Sequence, residues 1–220
     1  MKSIVEMEQV NLNIQKQFNP KVAIPRELKD TNVKVSSMID RIIAVLLLLL
    51  FSPTLIVAFL LLFIEDGFPL VFKQQRVGKN DKDFYIYKIR SMRRNTPQVS
   101  TNELSNPEKY RLKTGKFFRK YSIDELPNLW NIIKGDMHFI GPRPLMRREK
   151  ELHELRLRYK ILEIKPGITG FAQVNGRDIL SVPRKVALER YYTKNRSFRL
   201  KAFILAKTAV IVLRAAGVKF

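Results

Sequence analysis

Residues Ile42 to Ile64 read IIAVLLLLLFSPTLIVAFLLLFI, 23 residues without a charge, broken near the middle by Ser52-Pro53. About 20 apolar residues suffice for one helix to cross the hydrocarbon core of a bilayer. Pro53, however, has no N–H to give to the preceding turn, and its ring clashes with that turn. Ten residues precede Ser52 and eleven follow Pro53. Each half reaches only about 15–17 Å at 1.5 Å per residue, roughly half of the ~30 Å core. The stretch therefore either spans as a kinked helix, which membranes tolerate, or enters, turns at Ser-Pro and leaves by the same face. Lys34 and Arg41 flank it on one side and Lys73, Arg76 and Lys79 on the other. Basic flanks are held on the cytoplasmic side. A re-entrant hairpin satisfies both flanks and a single span does not, although Asp40, Glu65 and Asp66 dilute the signal.

Outward from this run, the 220-residue chain has room for one ordinary domain. Its formal charge is +21, and the part beyond residue 64 holds 34 basic against 15 acidic side chains. Such a surplus calls for a polyanionic partner: nucleic acid, an anionic leaflet or a phosphate-bearing substrate. The neighbouring apolar run favours the membrane surface and phosphates over nucleic acid. There is no cysteine, which excludes disulfides and thiolate metal sites and fits a reducing compartment. The apolar run starts too late, is too long, and lacks the cleavage pattern of a signal peptide, so it is expected to be retained.

Residues 1–35 are polar, with Pro20 and Pro25, and are expected to form a tail. Residues 36–66 are expected to form the apolar membrane segment with its Ser-Pro break, and 67–220 a separate domain. Leu70–Val77 and Phe84–Ile89 read as strands around the turn-rich Gly78-Lys79-Asn80-Asp81-Lys82, a hairpin with a five-residue loop. Arg93–Lys109 reads as a loop with a short helix. Ile123–Ile133 has apolar residues at helical spacing and ends at Gly135. Leu145–Ile164 reads as a second helix, Ile168–Val174 as a strand, and Leu200–Ala215 as a final helix. The basic amphipathic helices suit either core packing or the membrane interface. The fold class expected is α+β, mainly helical, with a small β-hairpin.

His138 and His153 stand far apart, and no His or Cys cluster has metal-ligand spacing. No Walker or Gly-x-Gly-x-x-Gly loop is present. The most chemical stretch is Arg119-Lys120-Tyr121-Ser122-Ile123-Asp124-Glu125. Ser122-x-x-Glu125 has the form of a capping box, in which case Glu125 is structural. The same carboxylates at a helix start, beside Arg119, also suit phosphate chemistry, since a carboxylate can attack phosphorus and form an acyl phosphate. A magnesium ion held between a carboxylate and phosphates would serve a diphosphate. Pro142-Arg143-Pro144 holds an arginine in stiff extended backbone, suited to phosphate or base, or to a plain linker.

In several ordered pieces the chain resembles the bacterial sugar transferases, monotopic polyprenyl-phosphate phosphoglycosyl transferases that start surface glycan assembly. The pieces are Met38-Ile39-Asp40-Arg41, Ser52-Pro53, Lys73 to Gly78, Tyr87-Lys88-Ile89-Arg90-Ser91-Met92, Asp124 to Asn131, Lys134-Gly135-Asp136-Met137, Gly141-Pro142-Arg143-Pro144 and Lys165 to Gly170 through Gln173 to Arg177. The likeness covers about residues 34–215. It implies transfer of a sugar 1-phosphate from a UDP-sugar to undecaprenyl phosphate with release of UMP. It implies Asp124 as the nucleophile, Glu125 as its partner with Asp124 in holding Mg2+, and Arg119, Arg143, Arg90 and Lys88 as substrate-binding residues. It also implies Ser52 and Pro53 at the hairpin tip, the cytoplasmic face of the bacterial inner membrane, contact with anionic phospholipid and no nucleic acid, and it leaves a homodimer open. Asn128 stands where glutamine is common, Phe171 where leucine is, and Gly67-Phe68-Pro69 where Pro-Gly-Pro is. Two other readings remain: a single-span protein whose basic domain only binds nucleic acid or anionic lipid, and a membrane glycosyltransferase that moves the sugar without its phosphate.

Overall fold

The computed structural model describes residues 30–97, 106–176 and 179–214. Most of the expected tail, part of the Arg93–Lys109 loop, Arg177 and Ala215 lie outside the described residues. Helix α1 runs Asp30–Leu50, so it begins within the stretch expected as tail, and α2 runs Ser52–Asp66. Pro53 sits in the first turn of α2, where its missing N–H costs nothing. Ser52 Oγ donates to the Leu49 carbonyl at 2.7 Å, satisfying one acceptor at the break. Among the described residues no single helix is long and apolar enough to cross a membrane. The pair Ser36–Leu50 and Ser52–Asp66 passes that test only together, with a 57° bend between its members.

The bent pair has two faces. Ala44, Leu55, Ala58 and Leu62 are buried against the domain. Leu46, Leu49, Leu50, Ile56, Leu60 and Ile64 are exposed, Ile64 by 80%. Burying a side chain such as Leu62 stabilises by roughly 1.5–3 kcal/mol.

Strands β1 (Val71–Val77) and β2 (Asp83–Ile89) form the expected antiparallel hairpin, in register from Val71↔Ile89 to Val77↔Asp83. A 3-10 turn, Lys79–Asp81, joins them, with Asn80 and Asp81 at positive φ. Helices α3 (Pro107–Tyr110) and α4 (Lys113–Lys120) follow, then a 3-10 turn Ile123–Asn128 and α5 (Leu129–Lys134). The helix expected over Ile123–Ile133 is thus divided. Pro127 lacks the N–H for an α turn and disfavours α geometry at Leu126, so the first part winds as 3-10. Gly135 ends α5 at φ 92°, as expected.

β3 (His138–Ile140) and β4 (Gly167–Thr169) pair in parallel. The rest of the strand expected over Ile168–Val174 is a 3-10 turn, Gln173–Asn175. α6 is only Lys150–Arg158, because Leu145 bridges Val77 instead of entering a helix and Lys160 adopts φ 58°. A further 3-10 turn covers Ile161–Glu163. α7 (Val182–Lys194) was not anticipated, and α8 runs Phe198–Leu213. α8 buries Leu200 and Ile204 and exposes Phe203, Leu205, Val210 and Leu213. The described residues are mainly helical, with two small two-stranded sheets.

Among the described residues, three buried clusters hold the domain. Val77, Leu145, Leu152, Ile161, Val186 and Ile204 belong to the largest. A second joins α2 to Ile89, Leu112 and Phe118. A third joins Ala44 of α1 to Ile86, Leu129, Ile132 and Met137.

Candidate active site

The carboxylate pair is placed by a chain of local constraints that begins at the end of α2. Glu65 accepts from the Lys113 N–H at 2.7 Å, and from the Thr114 N–H and hydroxyl at 2.9 and 2.6 Å. A side chain at the end of the bent helix pair thereby satisfies the free donors that open α4. α4 carries Arg119 in its last turn, half-buried and engaged with its surroundings. Ser122 then takes φ 56° and caps nothing through its side chain. The capping box therefore does not form. Glu125 reaches instead across to β2, where its Oε1 lies 2.8 Å from Lys88 Nζ. Asp124, beside it on the 3-10 turn, is 8% exposed and also engaged. The turn is held along β2, and Asn131 of α5 donates to the Tyr85 carbonyl at 2.6 Å.

Arg143 arrives from the other side. The parallel β3–β4 pair brings Gly141 against Gly167 so closely that a Cβ on Gly167 would stand 2.0 Å from the Gly141 nitrogen. Only glycine allows that approach. It lays Pro142-Arg143-Pro144 beside Lys165-Pro166-Gly167, two motifs far apart in the chain. The carbonyls on either side of the Arg143–Pro144 bond are each held by an arginine: Arg156 donates to Arg143 O at 2.8 Å and Arg76 to Pro144 O at 3.2 Å. Arg156 in turn forms a bidentate pair with Glu189, Nε–Oε2 2.8 Å and Nη2–Oε1 2.6 Å, both side chains 2% exposed.

These pieces line a narrow, open cleft of about 30 Å³, bounded by Arg76, Lys88, Glu125, Asn128, Arg143 and Gly167 among others. Lys88, Glu125 and Arg143 are thus brought together as the motifs suggest. Arg90 is not among them. It is 6% exposed and clamps the end of α2, donating to the Asp66 and Gly67 carbonyls at 3.1 and 2.7 Å and pairing with the Asp66 carboxylate. A cation on a helix C-terminus opposes the negative end of its dipole. Arg76 is the residue that sequence reasoning left out of the site. The alternation of β1 was the available signal, since it puts Phe72, Gln74 and Arg76 on the less exposed face. Burial, and then the positive charge of Arg143, push the Arg76 guanidinium down to about 10.

Among the described residues no group of three or more His, Cys, Asp or Glu is placed to hold a metal. His138 contacts Asp40, and His153 lies 2.7 Å from Asp81; both tie elements together. Asp124 and Glu125 remain as neighbouring carboxylates on one turn. That donor set fits a magnesium ion that draws its other ligands from phosphate and water, as Mg2+ commonly does.

A second opening touches the Ile123–Asn128 turn at Ile123, whereas the first touches it at Glu125 and Asn128. It is an open apolar groove of about 330 Å³, lined by Pro53, Thr54, Val57, Ala58 and Leu61 of α2 with Phe117 and Phe118 of α4. A polar cleft lined by Glu125 and an apolar groove at the Ser52-Pro53 break therefore both open on the turn that carries Asp124.

The family model described as bacterial sugar transferase matches residues 31–215. The chain is similar to the uncharacterized sugar transferase EpsL of Bacillus subtilis, 38% identical over 183 residues, covering 83% of this chain and 89% of that one. It is similar to the undecaprenyl-phosphate galactose phosphotransferase of Salmonella typhimurium, 36% identical over 193 residues and 81% of this chain. The UDP-N-acetylgalactosamine-undecaprenyl-phosphate N-acetylgalactosaminephosphotransferase of Aeromonas hydrophila is 36% identical over 185 residues and 82% of this chain. The chain spans only 40% and 44% of the length of these last two.

Proposed function

The chain belongs to the bacterial sugar transferase family, and we propose that it moves a sugar 1-phosphate from a UDP-sugar to undecaprenyl phosphate, releasing UMP, at the start of surface glycan assembly. The observation that carries this reading is the meeting on one turn of a carboxylate pair, a cationic cleft and an apolar groove at the hairpin break. A water-soluble diphosphate suits the cleft and a polyprenyl chain suits the groove. The names of the Salmonella and Aeromonas relatives point to the same acceptor, and that of the Aeromonas relative to a UDP-sugar donor.

In the proposed sequence, an Asp124 carboxylate oxygen attacks the phosphorus that bears the sugar. The new O–P bond forms as the bond to UMP breaks, and UMP leaves with the electron pair. The phosphate oxygen of the lipid then attacks the aspartyl phosphosugar, restoring the Asp124 carboxylate and forming the lipid diphosphate sugar. Splitting the transfer at a covalent intermediate replaces one difficult step by two easier ones. Lys88 holds Glu125 in place, and Arg119 and Arg143 offset phosphate charge. Asp124 and Glu125 would hold a magnesium ion, which when bound supplies charge stabilisation to the departing phosphate.

A re-entrant seating on the cytoplasmic face of the bacterial inner membrane accompanies this reading. Both ends of the bent pair attach to the same domain: Lys165 and Lys201 donate to Ser37 and Ser36 at the start, and Glu65 and Asp66 bind α4 and Arg90 at the end. A single span would put those ends on opposite faces. With limbs of about 22 Å bent by 57° and tilted equally, the tip would reach about 10 Å deep, well short of the far side.

The test is nucleotide release from the full chain given a panel of UDP-sugars and undecaprenyl phosphate. UMP is the expected product. UDP would instead mark sugar transfer without phosphate, and no nucleotide from any sugar would leave a binding protein.

A further inference from the structure

We propose that Arg76 joins Arg143 and Lys88 as the third cation of a seat for the diphosphate of the nucleotide donor, an inference that rests on the reading above. Arg76 comes from β1, Lys88 from β2 and Arg143 from the Pro-Arg-Pro segment, and all three line one cleft. The cleft lining carries one carboxylate, Glu125, against these three cations. The seat therefore has a net charge of +2, which matches the two negative charges of a diphosphate diester. Like charges converging in a half-buried cleft repel one another and hold together at lower cost with an anion between them.

The hydrogen bonding of Arg76 points the same way. Its Nη1 donates to the Pro144 carbonyl at 3.2 Å and its Nη2 to Gln74 Oε1 at 2.5 Å. Its Nε–H is buried and has no partner. Buried donors are nearly always satisfied, and one left open beside a ligand cleft is a vacancy for an acceptor. The guanidinium is already locked by its two other contacts, so little freedom is lost when an oxygen arrives. Because Arg76 also grips the Pro144 carbonyl, it fixes the backbone of Arg143 while contributing its own charge. The neighbouring Asn128, 4% exposed, leaves its Oδ1 open in the same cleft, which suits a sugar hydroxyl rather than a second phosphate.

Calorimetry on the full chain in nanodiscs tests this with three probes: inorganic pyrophosphate, UDP and uridine. In Arg76→Gln, pyrophosphate and UDP should bind about tenfold to a hundredfold more weakly, the usual loss of a charge-assisted contact, while uridine is unaffected. Arg76→Lys restores charge without the Nε–H and should fall between; it carries the comparison where Arg76→Gln does not fold. Pyrophosphate affinity within about twofold of the parent chain in both variants would overturn the seat. So would a loss confined to the KM for the lipid phosphate, which would assign Arg76 to the acceptor. Pyrophosphate binding that depends on Arg76, in a chain that releases no UMP, would sink the proposed reaction and leave the seat standing. UMP release with undiminished pyrophosphate binding in the variants would do the reverse.

Discussion

Removing Arg156 should unfold the domain more readily and loosen the active site at once. Its guanidinium and the Glu189 carboxylate are joined by two short hydrogen bonds, and both are almost fully buried. Arg156→Ala strips Glu189 of its partner and leaves a buried charge, a change that costs about 3–5 kcal/mol. For a chain of this size 1 kcal/mol moves the melting temperature by about 2–4 °C, so a fall of roughly 6–20 °C is expected. Replacing the pair by apolar residues of similar volume, Arg156→Met with Glu189→Leu, should recover most of that loss, because neither charge then needs a partner. The double variant still lacks the donor to Arg143 O. Its melting temperature should therefore return while its KM for the UDP-sugar stays raised. Thermal melts and steady-state UMP release on the three proteins read both quantities. A loss under about 1 kcal/mol in Arg156→Ala, or a double variant as unstable as the single, would refute the argument.

Asp124→Asn should abolish turnover and with it any phosphosugar adduct detectable by mass spectrometry on the intact chain; full activity would remove Asp124 as the nucleophile. Arg119→Ala should keep the fold and lower kcat/KM by about tenfold to a hundredfold, and an unchanged value would take Arg119 out of the site. Arg90→Ala should act through the hairpin rather than the cleft, lowering the melting temperature while nucleotide KM stays near the parent value. Since the chain has no cysteine, Ser3→Cys and Lys194→Cys can be labelled singly in intact cells, and labelling from opposite sides would exclude the re-entrant seating.

The β-hairpin was legible because its turn, Gly78 to Lys82, is local chemistry and its strands alternate. The break at Ser52-Pro53 was legible for the same reason. The unread parts depend on distant partners. Leu145 looks like the start of a helix until Val77 pairs with it. Glu125 looks like a cap until Lys88, on another element, takes it. α7 buries Glu189 and exposes no single apolar stripe, so its periodicity is hidden. Arg90 and Arg76 are both arginines beside motif residues. Which one lines the cleft follows from the end of α2 and from Pro144, neither of which is near in sequence.

The Glu65 attachment at the end of α2 also has a mechanical consequence. On the proposed re-entrant seating it makes α2 and α4 a bent lever, with one arm facing lipid and the other leading through Arg119 to the turn of Asp124. α4 is about 12 Å long, so a tilt of about 10° passed through the joint moves its far end by about 2 Å. Misplacement of about 1 Å at reacting atoms can cost a hundredfold in rate. With that seating, the packing of the surrounding lipid becomes a control on the proposed chemistry, acting through a joint made of one carboxylate, two backbone amides and a hydroxyl.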